Sequence, residues 1–310
     1  MSATAQTESF VHPALFYRGE EEYLAGTVPF VLEGLDAGEA VAVAVPEANL
    51  DLIRTGLGER AAQVRLLDMT KAGRNPGRII PRVLRAFADE HPDGRVRIIG
   101  EPIWAGRTPT EYPACVQHEA LINLAFQGRE ATILCPYDEL RLEETVLADA
   151  HATHPTVIRA GRQDLSTAYA PEAVVSRYNQ PLTAPDGVPR VSYTATSLSD
   201  VRHHAILRAT ELGLPEARLQ DFALAVAELT TNSVVHGGGS GALRLWTQDG
   251  HVICEVRDAG VLADPLAGRC PPPRAQSGGR GLLLVHVIAD LVRVHTDPAE
   301  GTTTHCYFHC

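Results

Sequence analysis

The chain has 310 residues, enough for two domains that each bury a core of their own. Apolar residues make up 45% and charged residues 21% of it, which is the balance of a folded globular protein and not of a disordered one. The formal net charge of −11, with no block of Lys or Arg, speaks against a nucleic-acid groove, because phosphate binding needs concentrated basic surface.

From Glu20 to about Arg159, helix-like and strand-like stretches alternate, the pattern of a parallel sheet covered by crossover helices. Strands are predicted at Ala40–Val45, Gln63–Leu67, Val96–Gly100, Ala131–Cys135 and Thr156–Ile158. Helices are predicted at Glu21–Leu35, Glu47–Leu57, Ile79–Ala88, Thr110–Phe126 and Asp138–Ala150, with Pro, Gly or Asp at their ends. Gln180 to Pro189 carries three prolines and little apolar content, so it reads as a linker. A boundary near residue 186 gives domains 1–185 and 186–310.

Beyond it come a strand at Arg190–Ala195 and helices at Ser199–Leu212 and Pro215–Val235. Strands follow at Ala242–Thr247, His251–Val256, Val292–His295 and Thr303–Phe308, with one helix, Leu282–Leu291, among them. The expected class is α/β: a three-layer domain on a parallel sheet, then a two-layer α/β sandwich. The six cysteines are scattered and residues 1–10 lack the basic and apolar segments of a signal peptide, so a reducing cytoplasm is expected. The longest apolar runs, 40–46 and 282–288, fall far short of the roughly 20 residues of a membrane-spanning helix.

Three elements of the second domain carry chemistry. On the helix Pro215–Val235, the positions Glu228, Asn232 and His236 are spaced i, i+4, i+8 and form a polar stripe beside an apolar face of Phe222, Val226, Leu229 and Ser233. An amide oxygen there suits Mg²⁺ beside a triphosphate, and a carboxylate can orient or deprotonate a nucleophile; a solvated helix face is the bland alternative. At Val256-Arg-Asp258-Ala-Gly260 a strand ends in an Asp able to accept the adenine amine hydrogen, with a Gly that lets the base approach, although any turn can contain that pair. Ser277-Gly-Gly279-Arg280-Gly281-Leu282 is a glycine-rich loop opening into an apolar helix, an anion site made of backbone N–H groups. Arg280 either adds a charge-assisted contact or is solvated. No Lys-Ser/Thr follows, so the loop is no Walker A.

In this order and spacing the three elements resemble the GHKL (Bergerat) ATPases over about residues 190–310. Glu228-Leu-Thr-Thr-Asn232-Ser-Val-Val-His236 is similar to the N box, Asp258-Ala-Gly260 to the first glycine box and Gly279-Arg-Gly281-Leu282 to the second. Gly301-Thr-Thr303-Thr304 resembles the final adenine-side element. His203-His204 lacks the residues expected after a phosphoacceptor histidine, and only 18 residues separate Gly260 from Gly279, a stretch containing Pro271-Pro-Pro273 that is expected to form a short, mobile lid. These features resemble the anti-sigma-factor serine/threonine kinase branch. The resemblance implies ATP and Mg²⁺ as cofactors, Glu228 as base, Asn232 as Mg²⁺ ligand and Asp258 as adenine reader. It also implies that Gly260, Gly279 and Gly281 give backbone access, with Arg280, Leu282 and Thr303 beside the nucleotide. His236 either meets phosphate or, the favoured reading, caps its helix ahead of three glycines. The implied partners are a sigma factor and a small STAS-type antagonist phosphorylated on Ser or Thr, with homodimer formation left open. A non-catalytic, ATP-dependent switch that sequesters a transcription regulator also stays open.

The first domain contains no G-x-x-x-x-G-K-[ST], so it does not cradle a triphosphate in the P-loop way. His12-Pro-Ala-Leu-Phe-Tyr17, Gly100-Glu101-Pro-Ile-Trp104, Glu119-Ala-Leu-Ile-Asn123 and Cys135-Pro-Tyr-Asp138 resemble the MEDS sensory domain over about residues 8–180. That resemblance implies a degenerate RecA-like fold and a small organic ligand. His12, Tyr17, Glu101, Trp104 and Cys135 are the candidate contacts, each at a segment end where a parallel sheet places its crevice; core packing is the competing role. A metabolic enzyme in this domain finds no catalytic constellation to support it. At the C-terminus, His305-Cys-Tyr-Phe-His309-Cys310 looks like a metal cluster, but a strand would send its His and Cys residues to opposite faces.

Overall fold

The computed structural model describes residues 9–270 and 279–310. Pro271–Pro273, Ser277-Gly278 and the stretch 1–8 read for a signal peptide lie outside the described residues. The chain forms two compact units, Met1–Tyr178 and Asn179–Cys310. Residues 179–190, which hold the proline-rich stretch, contain no helix or strand. Among the described residues no helix is long and apolar enough to cross a membrane.

The first unit runs β1 (Phe10–Val11), β2 (Pro13–Tyr17), α1 (Gly19–Asp36), β3 (Ala40–Val45), α2 (Glu47–Leu57), β4 (Arg65–Asp68), α3 (Met69–Ala72), α4 (Arg85–Glu90), β5 (Val96–Gly100), α5 (Tyr112–Ala125), β6 (Ala131–Asp138), α6 (Glu144–Thr153), β7 (Thr156–Arg159), β8 (Arg162–Leu165) and α7 (Pro171–Arg177). The sheet order is β4-β3-β5-β6-β2-β7-β8, with β1 also on β6. All its pairings are parallel except β7 with β8. Both faces are covered, which is why β3 is an unbroken apolar run. Leu15, Tyr17, Val41, Val43, Val45, Ile99 and Leu134 pack beneath Tyr23 and Val31 of α1 and Leu50, Ile53 and Leu57 of α2. On the opposite face Phe16 stacks on His151 of α6, with ring centroids 4.7 Å apart. The result is a three-layer α/β domain.

Several local expectations shift. The stretch after His12 is a central strand, β2, paired with β6 and β7. Strand β6 does not stop at Cys135 but passes through Pro136, whose partner in register is Leu15, so the next helix starts at Glu144 and not at Asp138. The helix expected at Ile79–Ala88 is interrupted by a π-helical turn at Ile80–Leu84 that contains Pro81, a residue that cannot donate the regular helical bond.

The second unit runs β9 (Val191–Thr194), α8 (Leu198–Glu211), α9 (Glu216–Val235), β10 (Ser240–Gln248), β11 (His251–Asp258), α10 (Gly281–Ile288), β12 (Leu291–Asp297) and β13 (Gly301–His309). Its sheet is antiparallel throughout, in the order β12-β13-β11-β10-β9. Phe222, Val226 and Leu229 of α9 pack with Ala205 of α8 and Val285 of α10 on Leu243, Leu245, Cys254, Val256, Val292 and Phe308. Helices thus cover one face, giving a two-layer α/β sandwich. On the other face His305 meets Glu255 at 3.0 Å, whereas Cys306 lies in the core, so strand alternation divides the histidines and cysteines of the C-terminal segment.

Phe222 is fully buried and meets Phe308 edge to face, with centroids 5.3 Å apart. Phe222→Ala is expected to destabilise the second unit by about 3–5 kcal/mol. Urea denaturation checks this, and a loss under about 1 kcal/mol, the size of an ordinary substitution, would contradict the packing described.

Candidate functional site

Asp258, the last residue of β11, is held from two sides. Its Oδ2 accepts the hydroxyl hydrogen of Ser233 at 2.7 Å, and its Oδ1 accepts the backbone N–H of Gly260 at 2.9 Å. Ser233 lies on the buried face of α9, so the helix that packs on the sheet also fixes the carboxylate. A carboxylate offers about four acceptor sites, and each oxygen keeps one free.

Glycines clear the space around this group. A Cβ on Gly237 would collide with the Asp258 carboxylate, and one on Gly260 would stand 2.6 Å from the carbonyl oxygen of His236. Gly301 has φ +84° and its Cβ would strike the Asp258 carbonyl, so two constraints require glycine there. Thr302, opposite Asp258 in the β11–β13 ladder, donates its hydroxyl to Gly260 O at 2.8 Å.

Beside this corner lies a cavity of about 620 Å³. Asn232, His236, Asp258, Gly260, Gly279, Gly281 and Leu282 line it together with apolar Leu229, Val256, Val261, Leu262 and Leu266. A cavity of that size and character suits a planar base with a polar tail. Gly279 has φ +77° and leads into α10, whose first N–H groups lack intrahelical acceptors. His236 is the C-cap of α9, its N–H bonded to Asn232 O at 2.7 Å, and it lines the cavity as well.

Three expected residues stand elsewhere. Thr303 is not in the lining: alternation along β13 gives that place to its neighbours Thr302 and Thr304. Arg280 is exposed at the N-cap of α10 and also stays out of the lining. Glu228 is half-buried behind the loop, where a Cβ on Gly281 would collide with its Oε2. Its carboxylate therefore stands against the first turn of α10, where unpaired N–H groups favour negative charge. The histidines His203 and His204 are exposed on α8.

In the first unit the five sensor candidates do not form one group. Tyr17 ends β2 and Glu101 follows β5, so both sit at the carboxyl ends of parallel strands. Glu101 is buried; Asn49 donates to its two oxygens at 3.0 and 2.8 Å and Tyr23 donates at 3.4 Å. Trp104 is separate, half-buried beneath the Arg107 guanidinium, whose carbon is 3.9 Å from the ring centre. His12 precedes β2 and thus lies at the opposite, amino end of the strands, and Cys135 is within β6 on the face away from Tyr17. These two meet at 3.4 Å, with Glu119 and His154 beside them, two residues that the sequence did not single out as ligand contacts. Burial, with His154 opposite, lowers His12 to about 4, and burial pushes the Cys135 thiol well up. The i, i+4 spacing of Glu119 and Asn123 on α5 was the available signal for this group.

Burial raises Glu101 from the ordinary 4.5 to about 8. The folded state holds this proton after the unfolded chain has released it, so the contribution is full at acid pH and is lost as pH rises through about 8. Relative to Glu101→Gln, the wild-type first unit should therefore lose stability between about pH 5 and pH 8, measured by thermal unfolding across that range. Parallel profiles for the two proteins would refute the assignment.

Two family models match the chain: the methanogen/methylotroph, DcmR sensory domain (MEDS) over residues 11–155, and the histidine kinase-like ATPase domain over residues 191–307. No curated protein matches it. Among solved structures, the crystal structure of the RsbU and RsbW domains of Rv1364c from Mycobacterium tuberculosis is similar, with 20% identity and a TM-score of 0.29, over 39% of this chain and 32% of that one. This chain spans about a third of the length of that protein. The first domain is therefore a member of the MEDS sensory family, and the second is a member of the histidine kinase-like ATPase family.

Proposed function

We propose that the chain is a cytoplasmic signalling regulator in which a small organic ligand bound by the first domain controls an anti-sigma-type serine/threonine kinase in the second. The kinase binds a sigma factor and phosphorylates a STAS-type antagonist protein. The observation that carries the nucleotide reading is Asp258, a carboxylate fixed by Ser233 and Gly260 at the edge of the cavity with one acceptor site free on each oxygen. Such a group takes the exocyclic amine hydrogen of adenine, and the glycines around it let the base reach the backbone. The Gly279–Gly281 backbone and the start of α10 receive the phosphates. Asn232 Oδ1 is the hard oxygen that would hold Mg²⁺, which when bound offsets the charge of the phosphates.

In the transfer, the substrate hydroxyl oxygen bonds to the γ-phosphorus as the bond to the β-phosphate oxygen breaks, ADP leaves, and Glu228 takes the hydroxyl proton. The Ser/Thr branch is supported by the 18-residue connection between Gly260 and Gly279 and by His203-His204 lacking a phosphoacceptor setting. A second reading, a binding switch without catalysis, is favoured by one observation: Glu228 does not line the cavity.

Calorimetry with Mg-ATP should show binding by wild type and a loss of about 10- to 150-fold for Asp258→Ala, the weight of a hydrogen bond to a charged group. No heat at millimolar ATP would sink the nucleotide site. Glu228→Ala should keep ATP binding and abolish labelling of the partner that co-purifies with the chain. Unchanged labelling would remove Glu228 as the base, and no labelling by wild type would favour the switch.

A further inference from the structure

The first domain holds a cluster that the nucleotide reading does not use and that is independent of it. Four side chains converge from four segments: His12 from the break between β1 and β2, Glu119 from α5, Cys135 from β6 and His154 from the junction of α6 and β7. One ligand atom from each lies within 4.8 Å of all the others. His12 Nε2 is 3.4 Å from Cys135 Sγ and 3.5 Å from Glu119 Oε2, and His154 Nε2 is 3.2 Å from the same carboxylate oxygen. For a tetrahedral zinc with metal–N and metal–O of about 2.0–2.1 Å and metal–S of about 2.3 Å, ligands stand about 3.3–3.6 Å apart. The side chains of His12, His154 and Glu119 are 0%, 0% and 1% exposed, and Cys135 is 1% exposed.

Hydrogen bonds fix which nitrogen of each ring faces the cluster. His154 Nδ1 is 2.9 Å from the carbonyl oxygen of Ala150, which only accepts, so Nδ1 carries the hydrogen. His12 Nδ1 is 3.2 Å from Asn123 Oδ1; the amide nitrogen of Asn123 donates to Thr153 O at 2.8 Å and Ala120 O at 3.2 Å, which turns its oxygen toward His12. Both rings therefore present the Nε2 lone pair inward, the arrangement by which metal-binding histidines lock their tautomer. Neither oxygen of Glu119 nor Nε2 of His154 has an aligned hydrogen bond. The Glu119 carboxylate thus faces imidazole acceptors in a buried interior, an arrangement that a cation resolves.

We propose that His12, Glu119, Cys135 and His154 bind one zinc ion in a closed, four-ligand site. One thiolate, one carboxylate and two imidazoles make a borderline donor set suited to Zn²⁺. On binding, the Cys135 thiol proton leaves to solvent and a sulfur–zinc bond replaces it. The two anionic ligands then cancel the 2+ charge, so the buried site is neutral. With all four positions filled by protein, the ion ties α5 and β6 to the starts of β2 and β7.

The test uses the full chain, stripped with a chelator and titrated with Co²⁺ alone or Zn²⁺ alone. One metal per chain should bind, with release of about one proton and, for Co²⁺, a near-ultraviolet thiolate band and the strong visible bands of tetrahedral cobalt. Cys135→Ser should lose the thiolate band, Cys310→Ser should keep it, and Asn123→Ala should bind zinc about 10- to 100-fold more weakly. Wild type that takes up no stoichiometric metal overturns the proposal whether or not Cys135→Ser folds. A thiolate–cobalt band that survives in Cys135→Ser puts the metal on another thiolate and overturns it equally.

Discussion

The second domain is organised around one carboxylate. Asp258 is the meeting point of the end of β11, the last turns of α9, the turn after Asp258 and the first residues of β13, and each contributes an atom that touches or clears it. Asp258 is half-buried, and a carboxylate removed from water is costly without donors, so its two bonds constrain the fold as well as define a site. The Ser233 bond sets the distance between helix and sheet at this corner. The Gly260 bond bends the chain into the cavity wall. Gly237, Gly260 and Gly301 are required because three backbones approach within the radius of a side chain, and a methyl group on any of them would move the acid.

That corner also explains why one face of α9 holds both core and chemistry. Phe222, Val226, Leu229 and Ser233 run along the sheet side, and the stripe of Glu228, Asn232 and His236 lies beside them. The apolar side orients the helix by burial and the polar side inherits that orientation at no further cost in order. The hydroxyl of Thr302 extends the same logic to the far strand: it bridges Gly260 O and the Thr296 hydroxyl, which in turn accepts the N–H of Leu262 in the cavity wall. Hydrogen bonds thus hold the Asp258 corner of the cavity in place.

Much of this was legible in the sequence because the informative signals are local. A helix stripe, a strand-ending Asp and a glycine-rich turn each need only a few consecutive residues, and their order along the chain did the rest. What escaped depends on register or on distant pairing. Whether Thr303 or its neighbours face the cavity is a one-residue question about β13 that no local pattern decides. The central strand β2 is short, and its parallel partners β6 and β7 lie more than a hundred residues away. The strand predicted to end at Cys135 runs on through Pro136, which has no N–H to donate yet lies within the sheet. The contact of His12 with Cys135 spans 123 residues, which no reading of spacing could supply.

The two domains hold a half-buried acid and a buried one in opposite ways, and the contrast is informative about what each needs. Asp258 accepts two bonds from protein donors and lines a cavity, so its structure is complete without a ligand. Glu119 lies between two imidazole nitrogens that are themselves acceptors, beside a thiol, with no aligned donor. An acid of the first kind has acceptor sites to offer a molecule that enters and leaves. One of the second kind lacks an aligned donor in the folded core, and a positive charge installed among His12, Glu119, Cys135 and His154 makes the surrounding packing and the polar geometry agree.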